Sequence, residues 1–172
     1  MGSIDFNKLW QNFLDTVTNH YADFNGRVGR AQFWYYILVA GVILLGVHIV
    51  GNLLWLHVLS FLASLALLLP NAGMSARRLQ DTGRSGTLVW IAFIPAAIAM
   101  LTSVGGIFGL FFFFTIGWLM SLIAFFAIAA LIYFCVQPGM PAANQYGPVP
   151  PVFDPTMATP AAPTPPATPP AA

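Results

Sequence analysis

The sequence predicts an all-α polytopic membrane protein, with four transmembrane helices arranged as two hairpins and an interfacial amphipathic helix ahead of them. Three observations predict this fold. Hydrophobic residues make up 58% of the 172 residues and charged residues only 6%, whereas soluble domains carry about 25% charged residues. Four long apolar tracts contain no charged residue, and all six cations lie outside them. A soluble fold would expose too much apolar surface to water, so lipid is the expected solvent.

The first element, within residues 1–23, is predicted to be an amphipathic helix. Apolar side chains recur at three- and four-residue steps, which lines one helical face and leaves polar side chains on the other. The apolar set is Phe6, Leu9, Trp10, Phe13, Leu14, Val17 and Tyr21. Such a helix beside a membrane span either lies in the membrane interface or docks onto the cytoplasmic ends of the spans. Both alternatives remain open at this stage.

The membrane domain is predicted to cover residues 24–140. Its apolar tracts are residues 31–50, 52–70, 87–108 and 110–136. Each tract has about the 20 residues that a helix needs to cross hydrocarbon, or more. The joints inside the two pairs, near Gly51 and Gly105, are very short. Because a tight connection makes neighbouring helices antiparallel, the tracts are predicted to form two helical hairpins.

Residues 141–172 are predicted to form a disordered, Pro/Ala-rich cytoplasmic tail. The segment has few apolar anchors, so it cannot bury enough surface to offset the entropy that ordering would remove. Its prolines favour the polyproline II conformation. A spacer is the expected role of a segment with this composition.

The Lys and Arg residues fall in two clusters, one before the first span and one between the second and third. The first cluster is Lys8, Arg27 and Arg30, and the second is Arg77, Arg78 and Arg84. Cytoplasmic loops carry the excess of Lys and Arg in membrane proteins. Both termini and the central loop are therefore predicted to be cytoplasmic, and an even number of spans is consistent with that arrangement.

One acid, Asp81, lies inside the second cluster. A helix from Pro70 to Asp81, stopped by Gly83 in the left-handed conformation, would place this acid at a helix C-terminus, where it opposes the macrodipole. A compensating arginine is therefore expected. Either the cluster is a structural Arg–Asp clamp, or surplus guanidinium groups from both clusters bind a phosphate such as a lipid headgroup. The candidate residues for these two roles are Arg27, Arg30, Arg77, Arg78, Asp81 and Arg84.

Three ordered motifs carry a family resemblance. Residues 24–34 contain F-x-G-R-x-x-R and an aromatic pair, residues 77–86 read RRLQDTGRSG, and residues 139–150 contain G-x-x-x-x-N-x-Y-G-x-x-P. In these motifs the sequence resembles the YhaH-like bacterial inner-membrane proteins, a family of unknown function known as DUF805. Gln80 stands where that family usually has His. The resemblance implies a multi-span protein of the inner membrane, and it implies no activity, substrate or catalytic residue.

The sequence favours a non-enzymatic protein. It offers neither a nucleophile–base pair nor a cluster of metal ligands, so no cofactor or metal is expected, and a net charge of +1 argues against nucleic-acid binding. The leading interpretation is a structural or interaction protein whose Arg-rich cytoplasmic face contacts anionic lipid headgroups or partner membrane proteins, including further copies of itself. The alternative is a small transporter or channel subunit that acts as an oligomer, because one four-helix bundle is too thin to enclose a wide path.

Overall fold

The structure, a computed structural model, describes residues 4–104 and 110–156 and is helical throughout its regular parts. Its helices are α1 (Phe6–Asn19), α2 (Arg30–Leu53), α3 (His57–Asp81), α4 (Val89–Val104) and α5 (Leu110–Val136), with a short 3-10 turn, Gly86–Leu88, before α4. The described residues contain no strand and one isolated bridge, between Asn144 and Gly147. The all-α prediction is confirmed.

Three of the described helices are long and apolar enough to cross a membrane: α2, α3 and the Thr115–Val136 part of α5. The α4 helix is apolar but has only 16 residues. The α2 helix packs mainly against α3, and α4 packs mainly against α5. The predicted joint of the second pair, at Gly105, lies outside the described residues.

The α1 helix has three distinct sides. Asp5 caps its start, because its Oδ1 accepts a hydrogen bond from the Asn7 N–H at 2.9 Å. One side is buried against α2 and α3 and contains Leu9, Asn12, Phe13 and Thr16. A second side exposes apolar side chains, including Phe6 and Trp10, and a third carries polar ones. The helix therefore docks onto the spans and still keeps an apolar side free.

The α3 helix passes through Pro70, whereas the predicted second span ended there. Proline has no N–H, so the carbonyl of Ala66, four residues earlier, loses its usual helical partner. The Tyr21 hydroxyl donates to this carbonyl at 2.6 Å. The helix continues to Asp81, and a side chain that follows α1 takes the place of the missing backbone donor.

The buried core lies at the Asp81 end of α3. Every residue from Ala72 to Asp81 is buried, while the first half of α3 is exposed or half-buried except at Ser60. The α1, α2, α4 and α5 helices all contact α3. The part of α3 beyond the predicted span is thus the element around which the rest of the molecule assembles.

Residues 141–156 differ from the predicted disordered tail, because they pack against the helices. The Phe153 ring contacts the Tyr35 ring at 5.9 Å between centroids. The Asp5 N–H donates to the Pro155 carbonyl at 2.9 Å, and the Lys8 ammonium donates to the Asp154 carbonyl at 3.4 Å. An aromatic anchor and backbone acceptors therefore tie this segment to α1 and α2. Residues 157–172 lie outside the described part of the chain.

Candidate functional site

The end of α3 places Asp81 where the sequence predicts it. Gly83 has a φ of +80°, and its N–H donates to the Gln80 carbonyl at 3.1 Å, while the Arg84 N–H donates to the Leu79 carbonyl at 3.0 Å. These two bonds form a Schellman motif, which ends a helix at a left-handed glycine. The Asp81 carboxylate is left in the last turn of α3, at the negative end of the helix dipole.

Two arginines hold Asp81, one on each carboxylate oxygen. Arg27 donates to Oδ1 through Nε at 3.0 Å, and its Nη2 lies in ion-pair contact with the same oxygen at 2.9 Å. Arg78 donates to Oδ2 through Nη1. The three side chains are almost completely shielded from solvent, with at most 4% of each exposed. The structure therefore brings together Arg27, Arg78 and Asp81, which we call the arginine clamp.

The guanidinium group of Arg27 is surrounded by acceptors of the chain itself. Besides the Nε bond to Asp81, Nη1 donates to the Ala142 carbonyl at 2.8 Å and to the Gly147 carbonyl at 3.3 Å, and Nη2 donates to the Met140 carbonyl at 2.7 Å. Each guanidinium nitrogen thus donates within the chain, and the side chain is only 1% exposed. Arg27 is therefore poorly placed to bind a phosphate oxygen.

Arg78 joins α3 to the end of α5. Its Nε donates to the Cys135 carbonyl at 3.0 Å, and its Nη2 donates to the Gln137 carbonyl. These carbonyls belong to the last turn of α5 and the residue after it, where helical carbonyls lack backbone partners. A cation at this position also compensates the dipole of α5. Arg78 thus neutralises Asp81 and caps a second helix at the same time.

The segment that follows α5 closes over the clamp. The Met140 N–H donates to the Asp81 carbonyl at 2.8 Å, and the Asn144 side chain donates to the Gln80 carbonyl at 2.9 Å. A Cβ atom on Gly139 would overlap the Asp81 carboxylate, so the segment can approach this closely only because residue 139 is glycine. The three sequence motifs therefore meet at one place.

Among the described residues, the other three candidates form no ion pair with Asp81. Arg30 is exposed at the start of α2. Arg77 is buried and donates to the Met74 sulfur at 3.2 Å, while its Nε has no partner among the described residues. The Arg84 guanidinium lies over the Phe134 ring, 4.4 Å from its centroid, in a cation–π contact.

Gln80, which stands at a position usually held by His in the family motif, has a structural role here. Its side chain is buried, and its Nε2 donates to the Phe24 carbonyl at 2.8 Å. This bond ties the first motif to the second. An amide donor is sufficient for it, so the contact does not need an ionisable imidazole.

Backbone carbonyls are the part of the site that the residue types did not reveal. Five of them accept from Arg27 and Arg78, and all lie between residues 135 and 147. The only signal for them in the sequence was the third motif, because its glycines and asparagine are typical of a chain segment that makes tight turns and close approaches.

The described residues hold no group of three or more His, Cys, Asp and Glu side chains that could bind a metal ion. They do form an apolar groove of about 420 Å³ between α1 and α2. The groove is lined by Phe6, Leu9, Trp10, Leu38, Val39, Val42 and Ile43. It lies beside the exposed apolar side of α1.

Comparison with known proteins gives a family and relatives. The family described as "Protein of unknown function (DUF805)" matches residues 21–148. "Inner membrane protein YhaI" of Escherichia coli (strain K12) is 28% identical over 134 residues, which cover 77% of this chain and 89% of that protein. "Uncharacterized protein YiiR" of the same strain is 33% identical over 81 residues, 46% of this chain and 55% of that protein. No solved structure matches the chain significantly.

Proposed function

The chain belongs to the DUF805 family, whose members have no known function, and on that premise we propose that it is a non-enzymatic interaction protein of the bacterial inner membrane. It crosses the membrane four times as two hairpins, with both termini in the cytoplasm. The arginine clamp is structural, and it holds the cytoplasmic ends of the helices together. The protein contacts anionic lipid through Arg30 and the exposed apolar side of α1. The cytoplasmic face that carries these groups and the clamp is available to partner membrane proteins.

The observation that carries this proposal is that every guanidinium nitrogen of Arg27 donates within the chain. A phosphate site needs guanidinium N–H groups that point at the ligand, whereas those of Arg27 donate to Asp81 and to three backbone carbonyls, and the side chain is 1% exposed. Arg78 is fully buried and faces Asp81 and the end of α5. This geometry favours the clamp over headgroup binding for these residues.

Lipid contact is assigned to different groups. Phe6 is 79% exposed and Trp10 is 48% exposed, on a helix whose opposite side is packed against the spans. A helix with an apolar side and a polar side lies stably in the membrane interface. The exposed Arg30, which begins the first span, adds a cation at the level where anionic headgroups concentrate.

The transporter alternative receives less support from the geometry. The Ser64, Thr102 and Ser121 hydroxyls donate to carbonyls three or four residues earlier in their own helices, at 2.8 to 2.9 Å. A hydroxyl that bonds its own backbone in this way is satisfied without water. These groups therefore serve their helices and do not require a polar path beside them.

Thermal unfolding in nanodiscs of defined lipid tests the lipid part of the proposal. Anionic phosphatidylglycerol is expected to stabilise the native chain relative to pure phosphatidylcholine, by about 1 kcal/mol for a cation near the surface. Arg30→Gln should lose this increment and Arg30→Lys should keep it. If Arg30→Gln keeps the full increment, Arg30 does not contact anionic lipid and the assignment is wrong.

A further inference from the structure

The turn between α2 and α3 is apolar and exposed. Leu53, Leu54, Trp55 and Leu56 follow one another, and between 48% and 83% of each is exposed. A loop that projects into water normally carries polar residues and turn formers. Only the flanking Asn52 and His57 are polar here. The side chains of this turn are therefore suited to lipid and poorly suited to the periplasm.

The backbone N–H groups of the turn donate to carbonyls close by in the same chain. The Leu54 N–H donates to the Val50 carbonyl at 2.9 Å, and the Leu56 N–H donates to the Gly51 carbonyl at 2.7 Å. The Trp55 N–H also has a backbone acceptor, the Asn52 carbonyl at 3.4 Å. The N–H groups of Leu54, Trp55 and Leu56 are thus bonded within the chain, which lowers the cost of placing this part of the backbone next to lipid.

Trp55 has a strained backbone conformation in this hydrogen-bonded turn. Its φ is +57°, a left-handed conformation that bulky residues rarely adopt and that costs about 1–3 kcal/mol. This conformation accompanies the two internal bonds that the Trp55 and Leu56 N–H groups form.

The length of the hairpin gives the depth of the turn. The Phe13 ring of α1 stacks on Tyr36 at 5.9 Å between centroids, and the Tyr36 hydroxyl donates to Asn71 at 2.9 Å, so these residues mark the level of α1. At a rise of 1.5 Å per residue, Leu53 lies about 25 Å beyond Tyr36, and His57 lies about 21 Å beyond Asn71. A hydrocarbon core is about 30 Å thick. With α1 in the cytoplasmic interface, the hairpin reaches the outer leaflet, and its turn lies close to the far boundary of the hydrocarbon.

We infer that the α2–α3 turn is seated in the outer leaflet of the membrane, where Leu53 to Leu56 contact phospholipid acyl chains and no periplasmic loop projects. The side chains of Asn52 and His57 extend toward the glycerol region, as polar groups near a membrane boundary do. This inference rests on the proposed placement of α1 at the cytoplasmic interface. The two helices of the hairpin then cross the membrane, and the chain returns to the cytoplasm without exposing a binding loop outside.

Thiol labelling with a membrane-impermeant maleimide tests this inference. The native chain supplies the background, because Cys135 is only 1% exposed. Leu54→Cys should react at least about tenfold more slowly in right-side-out and in inverted vesicles than after detergent, because thiolate attack needs water. Thr18→Cys, on the polar side of α1, should react in inverted vesicles only. Reaction of Thr18→Cys from the outside would refute the proposed orientation. The depth of the turn would still be measured, because it is read from Leu54→Cys.

Two other labelling outcomes would overturn the inference. Leu54→Cys that reacts from outside as fast as in detergent would place the turn in periplasmic water. Leu54→Cys that stays protected in detergent and forms a disulfide-linked dimer would place a second copy of the chain on the turn.

Fluorescence of Trp55 gives an independent measurement that needs no cysteine. The Trp55 signal is the difference in fluorescence intensity between the native chain and Trp55→Phe, each reconstituted in brominated phosphatidylcholine. We expect strong quenching by bromine near the glycerol end of the acyl chains and little quenching by aqueous iodide. Strong iodide quenching with no effect of acyl bromine would refute the inference even if Leu54→Cys failed to fold.

Discussion

Asp81 is the residue on which the cytoplasmic end of the molecule depends, because its carboxylate joins two arginines that lie 54 and 3 residues away in the chain. The same acid lies at the unfavourable end of the α3 dipole. Its charge is therefore tolerated only while both guanidinium groups are in place. Each of them also binds carbonyls that follow or end α5, so the loss of the acid is transmitted to several segments.

Asp81→Asn is expected to lower the free energy of unfolding in detergent by about 3–5 kcal/mol, the cost of removing one partner from a shielded charge pair. The two buried guanidinium groups are left without a counter-charge. Asp15→Asn is the matched control, because the Asp15 side chain is half exposed, and a change within about 0.5 kcal/mol is expected there. Equal effects of the two substitutions would show that Asp81 has no special role.

Gly139→Ala tests the close approach of the closing segment. The added Cβ would overlap the Asp81 carboxylate, and overpacking of this kind costs about 1–3 kcal/mol. Gly41→Ala in α2 is the control, because its Cβ would meet nothing within 4 Å and an alanine should stabilise the helix by about 0.5–1 kcal/mol. If Gly139→Ala proves as harmless as Gly41→Ala in thermal unfolding, the segment does not pack on Asp81.

The sequence was sufficient to predict part of this cluster. The position of Asp81 before a left-handed glycine predicted a helix C-terminus and a compensating arginine, and Arg78 lies at the helical spacing that allows contact. The choice of Arg27, and the exclusion of Arg77 and Arg84, depends on how distant segments fold against α3. Single-residue chemistry carries no information on that tertiary arrangement.

At the scale of elements, the segment that follows α1 is bonded to α3 at the point where Pro70 removes a helical hydrogen bond. Pro70 deprives the Ala66 carbonyl of its helical donor, and the Tyr21 hydroxyl supplies another. The apolar span was predicted to end at Pro70 and a helix was predicted from Pro70 to Asp81, and in the structure the two are one continuous helix. The donor that compensates the missing proline N–H comes from a different part of the chain, so a sequence pattern confined to one helix cannot reveal it.

Tyr21→Phe is expected to destabilise the native chain by about 0.5–1.5 kcal/mol, the net contribution of one hydrogen bond. In a Pro70→Ala background the alanine N–H can bond the Ala66 carbonyl, so the same Tyr21→Phe change should be nearly neutral. The measurement is a double-mutant cycle by thermal unfolding. An equal cost in both backgrounds would mean that the hydroxyl does not substitute for the missing helical donor.

At the scale of the whole molecule, the chain is ordered by packing well beyond its last span. Residues 141–156 follow α5, return to the clamp and then reach the start of α1. Composition predicted disorder for this stretch because it has few apolar anchors. Backbone carbonyls and the single Phe153 ring are enough to fix it, since the acceptors meet donors already held in place.

Two truncations separate the packed and the unpacked parts of the carboxyl-terminal segment. Removal of residues 157–172 should leave the thermal midpoint unchanged, because that stretch of Pro, Ala and Thr has almost no apolar side chain. Removal of residues 152–172 also deletes Phe153 and Pro155, and it should cost about 1–2 kcal/mol through the lost ring contact and hydrogen bond. Identical midpoints for the two truncations would contradict the docking of residues 152–156.

Arg27, from the first motif, is bound to Asp81 of the second, and a double-mutant cycle in detergent is the most direct measurement of this contact. Arg27→Gln and Asp81→Asn should show a coupling energy of about 1–3 kcal/mol, because they belong to one buried network. The same cycle with Arg84→Gln, whose side chain lies on Phe134, should be additive within about 0.5 kcal/mol. Additive effects of Arg27→Gln and Asp81→Asn would contradict the clamp, whatever each change costs alone.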